Sequence, residues 1–197
     1  MRAMPPADQP NRIALDVTLP GGEGLRLRRL TVADAPAFAA HTVTDHERLR
    51  EHVPWPDRTR TVEGAERWLG AYERGEDGRV LVAGVWDAGA IVGGALLMHH
   101  DALHGVVELG CWTVAAAEGH GVARAACLEL IRVARRDLRV ERVTWQCTTQ
   151  NPRSRALAER LGFVYEGTLR SDHVLHGRRL DTDVLSLVGA ELDSALS

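Results

Sequence analysis

The 197-residue sequence contains no lysine; all 24 of its basic residues are arginine. That absence excludes every chemistry needing a lysine nucleophile, a Schiff base or the lysine of a phosphate-binding P-loop. Cysteine is scarce: three residues, at 111, 127 and 147, cannot all pair, and none has the CxxC spacing of a metal site. They read as reduced thiols of a cytoplasmic protein. No apolar run approaches the ~18 residues of a membrane span. The first twelve residues lack the apolar stretch of a secretory signal. A net charge of -3 gives general nucleic-acid binding little electrostatic support. Neither a membrane nor a nucleic acid is therefore an expected partner.

What is present is an ordinary globular composition, 45% hydrophobic and 26% charged. The length predicts one domain able to bury roughly 70% of its unfolded surface without metals or disulfides. Residues 1–12 hold three prolines and no periodicity, as in a disordered tail; residues 13–190 read as the domain and 191–197 as a C-terminal tail. Charge is unevenly spread. Between Glu118 and Arg160 nine arginines face five acids, a local +4 in an otherwise acidic chain. Such a stretch suits a small polyanionic ligand better than a long nucleic acid.

Periodicity predicts strands over 13–18 and 25–30 around the turn Pro20-Gly21-Gly22. Thr31, with Asp34 three residues on, opens a helix as a capping box. A short helix over 45–52 ends at Val53-Pro54-Trp55-Pro56, where two prolines forbid continuation. Thr61 caps the next helix, whose Val62, Ala65, Leu69 and Tyr72 form one apolar face. Strands follow over 79–86, 90–98 and 106–114, the first two joined at Asp87-Ala88-Gly89. A small-residue loop, 115–121, leads to a helix with Ala123, Cys127, Leu130, Ile131, Ala134 and Leu138 on one face. A strand over 142–148, a helix over 152–161 ended by Gly162, and strands over 163–169 and 180–188 complete the chain. The pattern is α+β with a mixed sheet, without the regular alternation of a doubly wound fold.

Glu118-Gly119-His120-Gly121-Val122-Ala123-Arg124 lies between a strand and a long helix. Glycines allow backbone N–H groups to turn inward, and a helix N-terminus adds roughly half a positive charge. Arg124 adds a full one. The segment reads as an anion cradle; the alternative is a turn whose glycines only relieve steric crowding. A P-loop is excluded by the missing Gly-Lys-Ser/Thr. A dinucleotide fingerprint is excluded because Arg124 stands where a third glycine belongs and Glu141 begins its strand rather than ending it.

The run Val107-Glu108-Leu109-Gly110-Cys111-Trp112, then Gly119-His120-Gly121-Val122-Ala123, Asn151-Pro152-Arg153-Ser154 and Leu161-Gly162-Phe163 resembles the GNAT acetyltransferases. Within them it is similar to the RimJ/RimL branch, whose known members acetylate N-terminal amines of ribosomal proteins. The resemblance spans about 25–189 and is most specific over 106–169. It implies a GNAT-like single domain, with a mixed, mostly antiparallel central sheet flanked by helices and one splayed strand pair for acetyl-CoA. The family's pyrophosphate motif, Gln/Arg-x-x-Gly-x-Gly/Ala, reads here Glu118-Gly119-His120-Gly121-Val122-Ala123, so an acid holds the first position. The resemblance places the pantetheine arm between the ends of strands 106–114 and 142–148, paired to backbone groups of Trp112, Thr113 and Val114. Asn151 would touch the same arm, although Asn before Pro152 is also an ideal N-cap.

Acyl transfer from a thioester requires a neutral amine, a polarised carbonyl and a proton for the leaving thiolate. An α-amine, pKa about 8, costs about 3.3 kcal/mol less to neutralise than lysine at about 10.4. The resemblance makes Glu108 the candidate base, acting through water, and Ser154 the acid for the thiolate. Trp55, held between prolines, would either wall the acceptor site or fill the core edge; Trp68 and Trp145 read as packing, Cys111 as a structural thiol, and Tyr165 as sheet packing with an alternative acid role. The histidines at 99, 100, 173 and 176 lack a framing metal geometry, so no metal is expected. The implied activity is acetyl-CoA-dependent N-acetylation of a protein N-terminus, such as that of a ribosomal protein, or of a small amine. Two alternatives are a non-catalytic acyl-CoA-binding module and a longer donor such as succinyl-CoA. Relatives suggest a homodimer.

Overall fold

The structure, a computed structural model, describes residues 13–20 and 24–197. The expected N-terminal tail and the glycines of the first turn lie outside the described residues. Eight strands form one sheet in the order β1-β2-β3-β4-β5-β6-β8-β7. They are β1 (Asp16–Thr18), β2 (Arg26–Arg29), β3 (Leu81–Asp87), β4 (Ala90–Asp101), β5 (Val106–Thr113), β6 (Arg142–Thr148), β7 (Val164–Leu175) and β8 (Arg178–Val188). Every neighbouring pair is antiparallel except β5 and β6.

Each face of the sheet is closed by helices whose apolar stripes the sequence patterning predicts. On one face lie α4 (Val122–Val133) and α5 (Pro152–Arg160). Here Leu130, Ile131, Val107, Leu109, Trp145 and Leu187 pack as one mainly aliphatic core. The other face carries α1 (Ala35–Thr44), the short α2 (His46–Arg50) and α3 (Val62–Glu73). Its core is aromatic: Phe38, Trp55, Trp68, Tyr72 and Trp112 join, with Phe38 and Trp68 stacked 5.0 Å apart. Trp112 lies over Gly94 on the neighbouring strand, where a Cβ would come within 2.3 Å of the indole. Only glycine permits that approach.

Local capping follows the sequence. Thr61 Oγ1 accepts from Gly64 N at 3.1 Å, and Asn151 Oδ1 accepts from Ser154 N at 3.1 Å. Asp34 accepts from Thr31 N at 2.9 Å, but one turn of 3-10 helix, Val32–Asp34, precedes α1. Three boundaries differ from the periodicity. α4 runs on into a π-helical turn, Ala134–Leu138. β7 and β8 extend to Leu175 and back to Arg178, because a shift in register near Ser171, at φ 56°, lets the ladder continue through charged residues. Residues expected in a C-terminal tail form α6 (Ala190–Ala195), which buries Leu192 completely in the aliphatic core.

A cleft at the parting of two strands

β5 and β6 are paired at only three positions, Val106 with Arg142, Val107 with Val143 and Glu108 with Thr144. Beyond that rung both strands continue, β5 to Thr113 and β6 to Thr148, without pairing to one another. A cleft therefore opens within the sheet, starting at Glu108. Val114 N donates to Val92 O on the β4 side at 3.0 Å. Strand alternation then turns the main-chain groups of Leu109, Cys111 and Thr113 toward the cleft, and those of Trp112 and Val114 away from it. Of the three backbone positions expected along the ligand arm, Thr113 turns toward the cleft and Trp112 and Val114 turn away from it, because direction depends on which neighbour strand a residue bonds. The cleft-facing groups form a row of donors and acceptors that an extended amide-bearing ligand could satisfy.

The mouth of the cleft is the loop before α4. Gly119 and Gly121 both have φ of 77°, a left-handed conformation that side chains resist, and Gly121 serves as N-cap. The first intrahelical bond of α4 is Ala125 N to Gly121 O. The N–H groups of Val122, Ala123 and Arg124 thus have no helical acceptor, and His120 is exposed beside them. Glu118 does not leave this loop anionic. Arg48 of α2 donates to its Oε1 at 2.6 Å, and Arg153 at the start of α5 binds Oε2. Arg48 also binds Asp45 and the carbonyl of Thr113. With Arg124 counted, three guanidiniums stand against two carboxylates here, a net +1 that complements a polyphosphate.

The two candidate proton-transfer groups face opposite sides of the sheet. Glu108, buried with its neighbours on the aromatic face, accepts from His99 Nδ1 at 2.9 Å through Oε2. His99 sits at φ 51° where β4 slips register against β5, and its ring is largely exposed. The hydrogen bond from Glu108 raises the His99 pKa above the ordinary imidazole value. Sequence inspection set His99 aside, since nothing local announces the bulge that turns it back onto Glu108. Ser154 lies on the aliphatic face, where its Oγ accepts from Trp145 Nε1 at 3.0 Å. That bond fixes the hydroxyl so its own proton is free to point elsewhere. The neighbouring Cys147 thiol is raised by burial and lowered in part by Ser154.

Other predicted residues fall differently. Trp55 is packed inside the aromatic cluster, 7% exposed, with Phe38 at 5.5 Å and Trp112 at 5.6 Å. Trp68 packs against Phe38 and Tyr72 as expected, and it also lines a cavity of about 1130 Å³ between α2 and α3. The Asn151 carbonyl oxygen is engaged in its capping bond. Tyr165 bonds Thr168 Oγ1 at 2.7 Å and stacks under Arg155, on the β7 edge. His176, at the β7–β8 turn, is held against Arg50 O at 2.6 Å, which brings that hairpin onto α2.

Residues 24–164 match the acetyltransferase (GNAT) domain family. The chain is 28% identical over 174 residues to YdaF of Bacillus subtilis (strain 168), named as a candidate ribosomal N-acetyltransferase, across 86% of this chain and 93% of that one. RimL, a ribosomal L7/L12 alpha-N-protein acetyltransferase solved with coenzyme A, superposes with a TM-score of 0.78 at 19% identity, over 89% of this chain and 99% of RimL. RimJ of Mycobacterium smegmatis, solved with a CoA disulfide, gives 0.76 at 22% identity, over 91% and 88%. At those identities the two solved structures establish a common fold.

Proposed function

The chain belongs to the GNAT acetyltransferase family, and from that premise we propose that it transfers the acetyl group of acetyl-CoA to a peptide α-amine. The observation that carries this reading is the parting of β5 and β6 at Glu108, with a carboxylate–imidazole pair on one face and Ser154 on the other. The residues present fit the donor. Gly119, His120, Gly121, Val122, Ala123 and Arg124 would hold its diphosphate through unpaired N–H groups and a net positive mouth. The main chain of Leu109, Cys111 and Thr113 would pair with the amides of its arm, with Arg48 yielding the Thr113 carbonyl. When bound, acetyl-CoA supplies the thioester carbonyl to be attacked.

Glu108 and His99 act together in this reading. With Nδ1–H directed at the carboxylate, the outer nitrogen of His99 accepts the ammonium proton, and Glu108 stabilises the imidazolium that forms. The raised imidazole is a stronger base, and a terminal amine at ~8 gives up its proton more readily than lysine at ~10.4, so the pair favours terminal amines. Ser154, oriented by Trp145, donates a proton on the opposite face to the departing sulfur. Proton removal and proton delivery are thereby separated by the sheet, and neither group can neutralise the other. The family likeness also favours a ribosomal protein terminus as one acceptor to try.

The test is calorimetric titration of acetyl-CoA into the wild type and Gly121→Asp, followed by CoA release with and without a peptide amine. Micromolar binding that Gly121→Asp abolishes, with release dependent on the amine, supports the reading. Absence of binding overturns it. Binding without turnover on any amine replaces it by an acyl-CoA-binding module.

A further inference from the structure

The cavity of about 1130 Å³ beside α3 is lined by five carboxylates and five guanidiniums, and their pairing is uneven in a way the transfer chemistry does not use. Each of its five lining carboxylates already has a cationic partner. Asp45 has Arg48, Asp77 has Arg79, Glu76 has Arg74, and Glu47 and Asp57 share His46 and Arg50. Three lining guanidiniums, those of Arg58, Arg60 and Arg67, have no partner among the described residues. All three are exposed, on the segment before α3 and on its second turn, and Trp68 of the aromatic cluster lines the same cavity. Asp77 and Arg79 also line the cavity, and Gly78 between them packs against the backbone of His99, where a Cβ would lie 3.2 Å from the His99 Cα. The cavity thus holds three arginines without an ion-pair partner among the described residues, and its Asp77–Arg79 rim adjoins the strand position of His99.

We propose that this cavity is the acceptor groove and that its acceptor is an acidic peptide, with side-chain carboxylates against Arg58, Arg60 and Arg67 and the N-terminal amine at His99. The inference rests on the reading of the His99–Glu108 pair as the amine end of the reaction. The volume exceeds what a small amine fills and accommodates several residues of extended chain. Fixed arginines without carboxylate partners favour carboxylates by bidentate pairing. The same charges disfavour a basic terminus, so selection here works by repulsion as well as attraction.

The experiment measures anisotropy of peptides of equal length, labelled at the C-terminus and with a free α-amine, whose second to fourth residues are acidic, neutral or basic. Binding to the full chain is followed by kcat/KM for each peptide with acetyl-CoA. The acidic peptide is expected to bind tightest, and added salt to erase its advantage. Arg60→Ala and Arg67→Ala, both at exposed positions, are each expected to reduce the acidic-to-neutral binding ratio about two- to fivefold, and together roughly tenfold. Equal binding of the three peptides overturns the inference, as does an advantage that survives the double substitution. Acidic-selective binding without turnover keeps the groove while removing the catalytic reading, so the two failures are distinguishable.

Discussion

The two faces of the sheet are built from different residues and carry different duties. The α4 face is closed by aliphatic side chains such as Leu130, Ile131, Val143 and Leu187, all fully buried. The α1–α3 face concentrates six of the chain's nine aromatic residues, and it alone buries a histidine. Aliphatic packing needs only volume, and the polar tip of Trp145 is matched there by Ser154. The aromatic face includes polar tips that must be matched: His41 donates from Nδ1 to Ile91 O at 3.0 Å and accepts at Nε2 from Trp112 Nε1 at 2.9 Å. Both bonds together fix a neutral tautomer. One face thus pairs its polar groups at a single point, Trp145 with Ser154, while the other holds a network of oriented groups next to Glu108, His99 and the Trp68 cavity.

Substitutions can break that contrast. The largest effect is expected from Glu108→Gln, which keeps the shape of the aromatic face but removes the charge that holds His99. Its kcat/KM should fall about 10²- to 10⁴-fold in a CoA-release assay with unchanged urea midpoint. A fall in the urea midpoint of matching size would make Glu108 a structural residue instead. On the other face, Leu130→Ala should cost about 2–5 kcal/mol in urea unfolding, while the folded fraction keeps its kcat/KM.

A smaller effect separates the faces by pH. Burial lowers the His41 pKa, so the folded protein holds this ring neutral while the unfolded chain protonates it near pH 6.5. The stability from neutral His41 is present above that value and is lost as pH falls from about 6.5 toward the lowered folded pKa. His99 has the opposite sign. Its raised pKa contributes stability below about 6.5 that is lost as pH rises through the folded value. Urea midpoints between pH 5 and 8 should show a drop on the acid side that His41→Leu removes, at a cost of about 1–3 kcal/mol at pH 7.5 from orphaning two partners. An acid limb persisting in His41→Leu would assign it elsewhere. Smallest of all, Ile131→Val should cost about 0.5–1.5 kcal/mol without altering any peptide preference.

The same contrast explains what the sequence made legible. The aliphatic face is written in local periodicity: α4 repeats its apolar residues on one side, and β5 and β6 alternate. Thr61 and Asn151 cap their helices by bonds spanning three residues. Leu192 escaped because a six-residue helix has too few turns to display a period. The aromatic face and the cleft mouth depend on meetings across distance. His41 reaches Ile91 over 50 residues, Arg48 reaches Glu118 over 70, and His176 reaches Arg50 over 126. No window of sequence contains both partners. Glu118, which in isolation reads as spoiling an anion cradle, becomes compensated only once α2 and α5 converge on it.

The three rungs between β5 and β6 are also a joint. On one side lie β1 to β5; on the other, β6, β8 and β7. A ligand seated between Leu109–Thr113 and Trp145–Thr148 would act as a splint, stiffening one half against the other along the seam. The amides of Leu109, Cys111 and Thr113 would then exchange their hydrogens slowly only while the seam is filled. Exchange at these three positions is a gauge of occupancy that works before any acceptor is known and without a single turnover.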